Sequence, residues 1–73
     1  MATGVTSHRS TQFHVKASPI QPHAWYHEMY AGTLCGRYIR VERIETRDTL
    51  AELLASDETW CPDCARRGTR LIT

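Results

Sequence analysis

Trp60-Cys61-Pro62-Asp63-Cys64 is the stretch on which the fold of this 73-residue chain turns. Two residues between the cysteines let a tight turn aim both sulfurs at one point, and Pro62 presets φ for the second position of that turn. A tetrahedral metal site takes four nitrogen or sulfur ligands, and a turn of this kind supplies two of them. Cys35 is the one remaining cysteine, and Gly36 behind it permits close approach of the backbone to an ion. The fourth ligand must then be a nitrogen or oxygen donor. His23 and His27 lie just upstream of Cys35. His27 falls in the strand before a hairpin turn and can face Cys35 across it, whereas His23 follows Pro22 in a connector. The spacing His27-x7-Cys35-x25-Cys61-x2-Cys64 therefore describes a Cys3His zinc site, with His23 as the competing histidine. Four protein ligands leave no open coordination position, so the zinc is expected to be structural rather than catalytic.

Size argues the same way. At 8.4 kDa the chain is one domain whose core is marginal without a staple. A structural zinc contributes ~10–16 kcal/mol of apparent binding free energy in finger peptides, enough to decide whether a domain this small folds. Hydrophobic residues make up 41%, in the globular range once the glycines are added, so the chain is not wholly disordered. No apolar run is long enough to span a bilayer, and MATGVTSHRS carries no apolar signal-peptide core. A cytoplasmic location is expected, where cysteines are reduced thiols or metal ligands.

Other chemistries fit less well. The WCPDC sequence shares its spacing with thioredoxin and glutaredoxin motifs, but those open a long helix with most of the domain still to come. Here nine residues follow Cys64. The cysteine spacings match none of the standard iron–sulfur runs. No nucleophile–base pair, glycine-rich phosphate loop or carboxylate cluster is present, so an enzyme is not expected. The formal charge is +1, and no block of like charge marks a nucleic-acid tail. Eight of the nine basic residues are Arg, and Asn is absent, as in proteins from high-GC genomes.

Along the chain, residues 1–23 read as a disordered or extended tail, with a short strand over Gln12–Ala17 where Phe13, Val15 and Ala17 alternate. His8 and His14 are placed with this tail and expected to be solvated. Residues 24–70 form the domain. Trp25–Tyr30, a turn at Ala31-Gly32-Thr33 in which Gly32 can take positive φ, and Leu34-Cys35-Gly36 make a hairpin pattern. Tyr38–Ile44 is β-branched and reads as a third strand. A helix over 48–56 is marked by Thr49 and Glu52 at capping-box spacing and by the stripe Leu50, Leu53, Leu54. The Cys61 knuckle is followed by a short tail.

The residues His27, Gly32-Thr33-Leu34-Cys35-Gly36-Arg37 and Trp60-Cys61-Pro62-Asp63-Cys64 together resemble small single-zinc proteins of actinobacteria and their phages. The resemblance covers about residues 25–67. It implies His27, Cys35, Cys61 and Cys64 as zinc ligands and says little about role.

The expected fold is α+β: a small zinc-knuckle or ribbon-like domain of one β-hairpin, a third strand and one short helix. The expected function is a non-enzymatic protein-interaction module. The competing reading is a nucleic-acid-binding zinc protein or small transcriptional regulator, if Arg37, Arg40, Arg43, Arg66, Arg67 and Arg70 share a face.

Overall fold

The computed structural model describes residues 1–7, 9–22 and 28–73. Its architecture is α+β. An antiparallel sheet contains β1 (Ala2–Ser7), β2 (Phe13–Val15), β3 (Gln21–Pro22), β4 (Met29–Gly32) and β5 (Tyr38–Arg47), in the order β2-β1-β5-β4-β3. Two helices follow, α1 (Leu50–Leu54) and α2 (Pro62–Ile72).

The long strand β5 is the backbone of the sheet. Its β-branched run pairs with β4 on one edge and with β1 on the other. The reversal between β4 and β5 lies later than the sequence suggests. Ala31 and Gly32 are still in the ladder, opposite Ile39 and Tyr38. The chain turns over residues 33–37, where the Thr33 amide donates to the Arg37 carbonyl at 2.9 Å and the Gly36 amide to the Thr33 carbonyl at 3.1 Å. The left-handed residue this loop requires is Gly36, at φ 86°, and not Gly32.

The disordered-tail reading of the first residues does not hold. Ala2–Ser7 forms β1, an interior strand between β2 and β5, with Val5 wholly buried. The strand has little apolar mass of its own, which is why its sequence reads as a tail. The missing bulk comes from elsewhere. A Cβ on Gly4 would stand 2.5 Å from the Trp60 ring, so the absent side chain is the space that the indole occupies. Trp60 in turn packs on Phe13, with ring centroids 5.7 Å apart, and the Arg43 guanidinium lies 5.6 Å from the Phe13 centroid.

Helix α1 starts where the capping signal places it: the Thr49 hydroxyl accepts from the Glu52 amide at 3.1 Å, and Leu53 is wholly buried. Helix α2 replaces the expected turn and short tail. Pro62 occupies its first turn, where a missing N–H costs nothing, and Asp63 and Arg70 suit its two ends. Gly68 lies inside this helix and does not end it. It is there for packing, because a Cβ would come within 2.9 Å of the Leu54 side chain of α1.

Candidate metal centre

Strand β2 holds the centre together through its own backbone. The Cys61 amide donates to the Phe13 carbonyl at 2.8 Å, and the Phe13 amide donates to Thr59 at 2.7 Å. This parallel bridge of Phe13 with Trp60 draws the start of α2 against β2. Two residues further on, the Leu34 amide donates to the Val15 carbonyl at 3.0 Å, which fixes the 33–37 loop beside the same strand. His14 lies between these two anchor points.

The result is a cluster of His14, Cys35, Cys61 and Cys64, whose ligand atoms all lie within 4.8 Å of one another. His14 Nδ1 is 3.5 Å from Cys35 Sγ and 3.7 Å from Cys64 Sγ. A tetrahedron with Zn–S arms of ~2.3 Å and a Zn–N arm of ~2.05 Å has S···N edges of about 3.6 Å. The two nitrogen–sulfur distances therefore match the edges of a metal tetrahedron. His14, Cys61 and Cys64 are buried, and Cys35 is half-buried on its loop. Four residues that are arranged to bind a metal ion thus come from three separate segments of the chain.

The protonation chemistry is that of a site shaped for a cation. Burial pushes the Cys64 thiol up to about 11, and a neighbouring Cys35 thiolate adds to the effect. For Cys35 burial also acts upward. It is outweighed by the Thr33 hydroxyl, 3.0 Å from the sulfur, by Cys64, by the Arg37 backbone and by Cys61, and the net shift is downward. Burial, aided by the positive charge of Arg37, lowers His14 and keeps its imidazole neutral and able to ligate. Cys35 is thus the more acidic of these two thiols and Cys64 the less. A dication would let the thiolates gather.

Three of the four residues expected at the site are therefore brought together: Cys35, Cys61 and Cys64. His27 and its competitor His23 lie outside the described residues. The histidine that the described residues place against the sulfurs is His14, and the expectation that it is solvated is corrected, since it is 4% exposed. The alternation of Phe13 and Val15 marks a strand, but it places His14 on the opposite face, and no sequence signal shows that this face is covered.

No family model, curated protein or solved structure matches this chain. Among the described residues, no helix is long and apolar enough to cross a membrane.

Proposed function

We propose that this chain is a small non-enzymatic zinc-binding protein that acts as a protein-interaction module in the cytoplasm. The observation that carries the metal half is the cluster of one imidazole and three sulfurs within 4.8 Å of one another, with two nitrogen–sulfur distances at tetrahedral edge length. Thiolates with a single imidazole are a donor set that suits zinc, and four of them fill its coordination shell. His14 Nδ1, Cys35, Cys61 and Cys64 would hold the ion, tying β2, the 33–37 loop and α2 into one unit. The zinc would supply cross-linking rather than Lewis acidity at a substrate.

Charge and surface support a protein partner. Three thiolates with one zinc carry a single negative charge, which brings the formal +1 of the chain to about zero. A nucleic-acid module normally presents a net basic face. Met29, Tyr38, Ile44, Leu71 and Ile72 are large apolar side chains left exposed. The arginine bias and the likeness of the TLCGR and CPDC segments to small actinobacterial and phage zinc proteins support such an origin.

Native mass spectrometry of protein purified under reducing conditions tests the metal half. One zinc per chain, lost together with the fold on chelation, is the expected result. Protein without metal that keeps an unchanged circular dichroism spectrum in excess chelator would refute it. A salt titration of binding to random DNA tests the partner class, because an interaction module has no steeply salt-dependent affinity to lose.

A further inference from the structure

Away from the His/Cys cluster, the molecule has a concave site at the far end of β1. A cavity of about 300 Å³ is lined by Ser7, Arg9, Tyr30, Ile39 and Arg40 and shares no residue with the metal centre. It is built by an irregularity in the sheet. The register of β1 on β5 shifts between Thr6 and Ser7, so Ser7 pairs with Val41 and the chain leaves the ladder beside the β4–β5 hairpin. Two arginines and a serine line it together, and none of its described lining residues is acidic. Arg40 is held by Glu28, Nη1 to Oε1 at 2.9 Å, which fixes the position of that guanidinium and offsets its charge. Arg9 is exposed and has no carboxylate partner among the described residues, so the surplus positive charge is its own. Tyr30 is braced by a stack on Tyr38, with centroids 5.4 Å apart and ring planes 13° apart.

From this juxtaposition we infer that the Ser7–Arg9–Tyr30–Arg40 cavity is a binding site for a nucleotide, with the phosphate against the arginines and Ser7 and the base against the Tyr30–Tyr38 pair. Planar guanidinium forks match phosphate oxygens, and an aromatic surface accepts any base by its π-face. The volume is at the small end of ligand sites, which suits one nucleotide unit and not a larger cofactor. That unit can come free or as a link of a single strand. The inference stands on residues independent of the zinc reading.

The test is a nuclear magnetic resonance titration of the zinc-loaded full chain with adenosine 5′-monophosphate, adenosine, inorganic phosphate and a short single-stranded oligonucleotide. The mononucleotide should give saturable shifts at Ser7, Arg9, Ile39 and Arg40. Adenosine and phosphate should each bind at least about tenfold more weakly. Arg9→Ala lies at an exposed position and should keep the fold and the zinc while weakening mononucleotide binding by about tenfold or more. Tyr30→Leu should narrow the gap between mononucleotide and phosphate. Tighter binding of the oligonucleotide than of the mononucleotide upholds the site and assigns it to a strand; equal binding upholds it for a free nucleotide. No saturable shift up to about 10 mM mononucleotide overturns the inference. So does phosphate binding as tight as the mononucleotide, or binding that Arg9→Ala leaves unchanged.

Discussion

The amide of Cys61 donates to the carbonyl of Phe13 at 2.8 Å, and this bond between the start of a helix and an edge strand sets the geometry of the metal centre. It places Cys61 beside the residue that precedes His14, with the next turn of α2 bringing in Cys64. The Leu34–Val15 hydrogen bond does the same for Cys35 on the other side of His14. Both bonds are between backbone groups. The ligands are therefore positioned by backbone pairing between β2 and the two segments that carry the cysteines.

The first prediction concerns the histidine. His14 Nδ1 stands at tetrahedral edge distance from two of the sulfurs, so His14→Ala removes a ligand that the fold has already placed. It should lower zinc affinity by about a hundredfold or more and leave the metal labile to a weak chelator. His27→Ala, at the position favoured by hairpin spacing, should leave affinity within about threefold of the parent. Competition titration with a chromophoric chelator separates the two. A severe loss in His27→Ala with no change in His14→Ala would show that Nδ1 is near the site but not on the metal.

What the sequence made legible was whatever lay in local chemistry. The CxxC spacing, the lone Cys35 before a glycine, the β-branched run of β5 and the Thr49 cap each state their role within a few residues. What stayed hidden depended on distant partners. β1 reads as polar because its core volume is supplied by Trp60, 56 positions away from Gly4. His14 reads as part of a tail for the same reason, since its burial comes from Leu34 and Cys61 docking along the outer edge of β2, one before and one after it. In α2 the inward positions Cys64 and Gly68 are small, so no large apolar stripe announces the helix, and Gly68 reads as its end. Pro62 and Asp63 were signals of a helix start that a metal knuckle explains equally well.

The second prediction follows from Gly4. An added Cβ meets the Trp60 ring at 2.5 and 3.0 Å, and a half-buried indole packed on Phe13 cannot swing aside cheaply. Gly4→Ala should cost about 1–3 kcal/mol, as overpacking of a filled core does. Chemical denaturation of the zinc-loaded protein measures the loss, and the Trp60 indole resonance should move with it. A variant as stable as the parent would mean that β1 is not packed against Trp60.

The third prediction tests the helical layer. Leu53 is wholly buried, and Leu54 meets α2 at Gly68. Leu53→Asp places a carboxylate where no partner exists and should prevent folding even with zinc present. Leu53→Ala should fold but lose about 2–5 kcal/mol. Dispersion in the amide spectrum with saturating zinc distinguishes these outcomes. Native-like spectra for Leu53→Asp would show that α1 packs on nothing.

Zinc binding should release protons, and the sign follows from two of the ligands. Cys64 is pushed up to about 11 in the folded metal-free centre and has the ordinary value of 9.0 in an unfolded chain. At pH 7.5 it is protonated in either state, so its thiolate forms only when the ion displaces that proton. His14 is lowered from 6.5 when buried, so it is neutral at pH 7.5 and releases none. Affinity therefore rises with pH through Cys64, by about tenfold per unit for that one proton. The imidazole begins to oppose binding only as pH falls below its ordinary range. Titration calorimetry in buffers of different ionisation enthalpy at pH 7.5 should report at least about one proton released per zinc. A chelator competition from pH 6.5 to 8.5 should show the matching slope. Binding that releases no proton would mean that Cys64 is not a ligand, and the centre would then have to close without the cysteine that α2 buries most deeply.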